Sequence, residues 1–210
     1  MKTVSASALT LAPVLALVLA GSASAQPATP SPSHDPSQVQ SGTYRVGSPH
    51  TRLVFTIVHM GFTDYYGQFN GIDGGLKLDA AHPDASELSI SIPTDSVDTG
   101  NAVLNGELKD PTWFDAAQYP KITFKSTKVV RTGPNTAQVT GDLTFHGVTK
   151  PVTLEAKFNA GGVHPFTKKY TVGFNASGHI KRSDFNQTKY LPLIGDDVYL
   201  MMSAEFEKEG

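Results

Sequence analysis

The chain has 210 residues, 19 acidic against 17 basic, with seven histidines and no cysteine. A faintly acidic chain of mixed signs lacks the basic footprint of a nucleic-acid binder. The lack of cysteine excludes a disulfide scaffold, a thiol nucleophile, a thiolate zinc site, an iron–sulfur cluster and a lipid-modified N-terminal cysteine, and 39% apolar with 9% aromatic residues is too rich for a disordered chain.

Met1-Lys2 starts the chain with positive charge, and residues 9–20 (LTLAPVLALVLA) form an apolar run of 12. Ala23-Ser24-Ala25 then supply the small residues that precede signal-peptidase cleavage. The run is too short to span about 30 Å of hydrocarbon, and Pro13 interrupts it. Residues 1–25 therefore read as a cleaved signal peptide. No later apolar stretch has membrane length, so the mature chain reads as exported and not membrane-spanning. Residues 26–41 carry four prolines and almost no large apolar side chain. Such a stretch does not repay its ordering entropy, and it reads as a flexible tether with His34 in solvent. The folded domain is expected over 42–210.

From Tyr44 onward the dominant period is two. Residues 53–60 (LVFTIVHM) are apolar on both faces, and residues 66–78 read as a strand pair bent at Gly71, Gly74 and Gly75. Leu88, Ile90 and Ile92 alternate with Ser89 and Ser91. Residues 98–118 break the rhythm: Val103, Leu104 and Leu108 fall at helical offsets and Pro111 ends the pattern, which predicts one short helix lying across an end or side of the sheet. Strands resume over 121–131 and 136–146. Val152, Leu154, Ala156 and Phe158 then alternate with polar residues, a further strand covers 170–180, and the chain closes on Val198, Leu200, Met202, Ala204 and Phe206. Gly133-Pro134-Asn135, Gly147, Gly161-Gly162 and Gly195-Asp196 read as the turns. The pattern predicts an all-β chain of about eight antiparallel strands, a barrel or sandwich, with one short helical insert.

Chemistry is sparse. The sequence has no G-x-S-x-G, H-E-x-x-H, phosphate loop or dinucleotide fingerprint. His50, His82, His146, His164 and His179 show no paired ligand spacing, and Asp95, Asp98 and Asp110 read as caps and turns around the insert. No catalytic residue, metal site or cofactor is expected. His59 shares the parity of Leu53, Phe55 and Ile57, and is either a core histidine with a backbone partner or a polar contact to a ligand. An eight-stranded barrel is filled by its own side chains or holds one small ligand, and periodicity leaves both open.

Read in order, the strands resemble the YceI-like family, exported lipid- or polyisoprenoid-binding proteins with a lipocalin-like barrel. The resemblance is carried by SPHTRLVFTIVHMGFTDYYGQFNGIDGGLKLD (48–79), SIPTDSVDTGNA (91–102), YPKITFKSTKV (119–129), VTGDLTFHGVTKPVTLEAKF (139–158) and VGFNASGHIKRSDFN (172–186). The G-D-L-T-x-x-G-V-T-K-P-V run over 141–152 is its most specific piece, and the match extends from 42 to 208 in collinear order. One departure lies in the insert, where the family's Arg-Asp pair and His-Leu are replaced by Leu104-Asn105 and Glu107-Leu108 ahead of Trp113-Phe114. The resemblance implies a closed barrel around an apolar tunnel for a long isoprenoid or fatty chain, a periplasmic location, a homodimer and no catalytic residues. Alternation then places Leu53, Phe55, Ile57, Leu88, Ile90, Ile92, Leu154, Phe158, Phe174, Leu200 and Met202 along that tunnel, with His59 as a polar contact. Two rival readings are a structural or stress-response module with a filled barrel, and a lipid-modifying enzyme with a buried polar constellation.

Overall fold

The computed structural model describes residues 31–47 and 50–210. The signal peptide expected over 1–25 and the first residues of the tether lie outside them. Eleven strand segments follow one another: β1 (Gly42–Val46), β2 (Arg52–His59), β3 (Thr63–Phe69), β4 (Asp73–Leu78), β5 (Glu87–Pro93), β6 (Val97–Asp98), β7 (Lys121–Arg131), β8 (Thr136–Phe145), β9 (Val148–Val163), β10 (Tyr170–Lys181) and β11 (Ile194–Lys208). All pairings are antiparallel, and β1 closes the ring by pairing with both β4 and β11. The eleven segments make only eight barrel strands, because three pairs run end to end. Thus β1 and β2 both lie along β11, β3 and β4 lie along β2 and β1, and β5 and β6 lie along β4 and β3. The result is an up-and-down barrel in which chain order equals strand order.

The breaks have local causes. At Gly74, with φ +145°, a Cβ would overlap the carbonyl of Ser89 on the neighbouring strand, so only glycine lets the two backbones approach there. Gly67 pairs with Phe55 across β2 and β3, and the Phe55 ring occupies the space a Cβ would need. The Gly161-Gly162 pair, expected as a turn, instead lies inside β9, which runs for 16 residues.

The insert forms α1 (Ala102–Lys109) at one end of the barrel. The Asn101 side chain caps it by accepting from the N–H groups of Val103 and Leu104. The Asp98 carboxylate accepts from the Gly100 N–H and from the Asn105 amide, and these bonds hold its pKa below the ordinary carboxylate value. Leu108 is buried and Leu104 packs on the core, as their spacing implies, but Val103 points into solvent at 72% exposure. Eight residues offer one narrow apolar face, too narrow to hold all three side chains.

The buried apolar side chains form two bands along the inner wall of the barrel. Toward α1 lie Leu53, Phe69, Ile92, Ile122, Phe124, Phe145, Val152, Leu154 and Phe185; toward the far end lie Tyr44, Leu76, Val172 and Phe206. Tyr44 is fully buried, its hydroxyl donates to the Gln40 carbonyl, and burial pushes its pKa up to about 12.

The described part of the expected tether is not free. Ser33 and Gly161 exchange two backbone hydrogen bonds of 2.8 Å, His34 Nδ1 lies 2.6 Å from the Asn159 carbonyl, and Asp35 caps a short 3₁₀ turn over Pro36–Gln38. Val39 packs on the far-end core. Proline lowers the entropy that docking must overcome, and the two glycines of β9 leave room for the segment.

Candidate functional site

The interior toward α1 is hollow. A cavity of about 510 Å³ runs down the barrel, within the size range of small-molecule sites. Its wall is almost wholly apolar because all eight barrel strands supply Leu, Ile, Val or Phe at inward positions, while Ala156, Ala176 and Ala204 leave the space unfilled. The filled-barrel alternative is therefore set aside.

Leu53, Phe55, Ile57 and His59 line the cavity from β2; Leu88, Ile90 and Ile92 from β5; Leu154 from β9; Phe174 from β10; Leu200 and Met202 from β11. Phe158 does not. It points inward and is buried, but it sits below this cavity, edge to face with Phe174 at 5.6 Å. Alternation settles which face a residue takes and is silent about its depth along the barrel axis. His59 is neither a buried core histidine nor bonded to the backbone: it stands half-buried near the mouth, its ring 5.9 Å from that of Tyr65.

The mouth is built by α1 and by connections, outside the two-residue period of the strands. Leu104 and Leu108 of α1 and the Trp113-Phe114 pair lean over it. Phe114 packs against Phe145 at 5.2 Å and Phe69 at 6.0 Å, while Lys189 Nζ lies 4.9 Å from the Trp113 ring centroid. The two lip segments are tied together where the Gln187 side chain donates to the Trp113 carbonyl at 2.9 Å.

Arg182, on the 3₁₀ turn Arg182–Phe185, also borders the cavity and was not singled out by the sequence, where an isolated arginine between polar neighbours carries no signal. It is only 5% exposed. Its guanidinium donates to the carbonyls of Gly195 (2.7 Å), Gln187 (2.7 Å) and Ile194 (2.9 Å), so it staples the β10–β11 connection. Burial pulls its pKa below the ordinary value, with nearby Asp196 acting in the opposite sense. Burial pushes Asp196 upward, but the N–H and hydroxyl of Ser183, with Arg182 and Lys181 nearby, hold its carboxyl below the usual range. Arg182→Ala orphans three carbonyls at once and is expected to cost about 3 kcal/mol, read from urea denaturation midpoints. Arg182→Lys should recover less than half of that, because a single ammonium does not reproduce the planar fork.

Outside the barrel, one ligand atom each of His50, His164 and Glu205 lie within 4.8 Å of one another. The sequence hid this group because its members come from three distant segments. Within it His50 Nδ1 lies 3.0 Å from Glu205 Oε2, and Nδ1 of His164 accepts from the N–H groups of Phe166 and Thr167. Among the described residues no helix is long and apolar enough to cross a membrane.

Residues 44–206 match the YceI-like domain. The chain belongs to the YceI-like family. A family relative, a UPF0312 protein of Ectopseudomonas mendocina, is 39% identical over 156 residues, covering 74% of this chain and 81% of its own length. Among solved structures, BcnA of Burkholderia cenocepacia superposes with a TM-score of 0.69 at 26% identity, covering 76% of this chain and 98% of its own. A polyisoprenoid binding domain from Saccharophagus degradans superposes at 0.60 with 17% identity, over 81% of this chain and 100% of its own, a likeness of fold. This YceI-like barrel is a closed eight-stranded one that carries Leu104 and Leu108 of α1 at its lip.

Proposed function

We propose that this YceI-like chain is an exported carrier or sequestering protein that holds a long-chain isoprenoid or related lipid in its barrel, without performing chemistry on it. The observation that carries this reading is the apolar cavity of about 510 Å³ open at the α1 end. Each methylene moved from water into such a wall is worth about 0.8 kcal/mol, so partial burial of a long chain outweighs the cost of ordering it. The neighbour described as a polyisoprenoid binding domain has the same fold, and a flexible prenyl chain fits a long tube lined by Leu, Ile and Phe. The reading of residues 1–25 as a signal peptide supports a periplasmic carrier, in an aqueous compartment where such a lipid needs a solvent-shielded site.

Organic extraction of protein purified from its own host, with native mass spectrometry of the intact complex, tests this. A stoichiometric co-purifying lipid that rebinds to the delipidated barrel is the expected result. Empty protein that also refuses added prenols and fatty acids would overturn the reading.

A further inference from the structure

Below Phe174 the barrel interior continues into a second space of about 390 Å³. Strand residues Leu78, Ala137 and Phe158 face it, and Pro36 and Val39 of the N-terminal segment close it from outside. Ala156 and Phe174 face both this chamber and the main cavity. What separates the two is aromatic: Phe174 stands edge to face with Phe158 at 5.6 Å and with Phe206 at 6.2 Å. The β9–β10 ladder slips by a register step between Gly173 and Phe174, at the same level.

We propose that this lower chamber is a second binding site, which takes the distal end of a long apolar chain once the upper cavity is full. Phe174 is its threshold and residues 33–40 are its floor. The proposal rests on the lipid-binding reading above and names the length class of the ligand. The acidic and the arginine side chain at the chamber are held within their own turns. Asp35 accepts from the Ser37 N–H at 2.9 Å and hydroxyl at 2.8 Å, and Arg131 donates to the carbonyls of Gly133 (2.9 Å) and Pro134 (3.0 Å). Asp35 and Arg131 are thus tied to neutral groups of their own turns, and Leu78, Ala137, Ala156, Phe158 and Phe174 give the chamber its carbon surface. The floor is tied to the barrel by the Ser33–Gly161 pair at one end and by Tyr170 and Lys208 on Gln38 and Gln40 at the other, so a short segment outside the barrel sets the longest chain accepted.

Delipidated full-length mature protein, titrated with farnesol, geranylgeraniol and solanesol and read by native mass spectrometry, tests this. Ala137→Phe fills the lower chamber. Farnesol affinity should be unchanged, and the longer prenols should bind at least about tenfold more weakly, since about two methylenes left in water suffice for that loss. Ser33→Pro removes the N–H that bonds to Gly161 and should shift the preferred length upward. An unchanged length profile in either folded variant overturns the proposal, and if Ala137→Phe fails to fold, Ser33→Pro decides alone. A wild-type protein that binds none of the prenols overturns the lipid-binding reading itself, so the two failures are distinguishable.

Discussion

Phe158→Asp is expected to lower stability by about 4 kcal/mol, enough to unfold much of a domain whose total stability is about 5–15 kcal/mol, whereas Lys157→Asp should change it by no more than about 0.5 kcal/mol. The two residues are adjacent on β9 and face opposite sides of the sheet. Phe158 is 7% exposed and packs on Phe174, so an aspartate there loses the aromatic contact and buries a carboxylate without a partner. Lys157 lies on the wet face. Urea midpoints of the two variants measure the contrast. Equal tolerance of both would show that the inner face of β9 has been assigned backwards, since a register slip of one residue exchanges the faces of a whole strand.

Filling the main cavity should do the reverse, sparing the fold and removing the ligand. Ala176 lies on β10 opposite Met202 on one side and Ala156 on the other, and faces the open interior. Ala176→Phe inserts a ring where the lipid chain runs. Displacing about three methylenes of that chain removes about 2.4 kcal/mol, roughly a fiftyfold loss of affinity for a long prenol or fatty acid. The unfolding midpoint should stay near that of the wild type, because the ring enters empty space and meets little overpacking. Direct titration of delipidated protein, with a thermal melt in parallel, gives both numbers. Unaltered affinity in a well-folded Ala176→Phe protein would place the ligand outside the barrel.

Much of the barrel was legible because alternation is a local consequence of the strand's two-residue period. On β5 the run from Leu88 to Ile92 reports its inner face directly, and the same holds for Leu200 and Met202 on β11. Where a strand is interrupted the pattern is harder to read. The kinks that divide β1 from β2, and β3 from β4, join segments that belong to one barrel strand, and only pairing with β11 and between the segments shows it. Trp113, Tyr190 and Arg182 at the mouth belong to connections, whose positions follow no period. The docking of the N-terminal segment escapes composition for a related reason. Composition measures how much surface a stretch can bury by itself, but Val39 and the backbone of Ser33 are held by partners already built elsewhere.

By itself the sequence determined that this is a cysteine-free chain of about eight antiparallel strands with one short helix, and which side chains turn inward on β2, β5, β9, β10 and β11. These properties depend on neighbours a few residues apart. The tertiary structure alone decided that the ring closes through β1 and β11, that alanines at 156, 176 and 204 leave the interior hollow, and that Phe158 lies beneath the cavity, not in its wall. Closure, depth and empty volume arise from residues far apart in the chain meeting in space, and no local period encodes them.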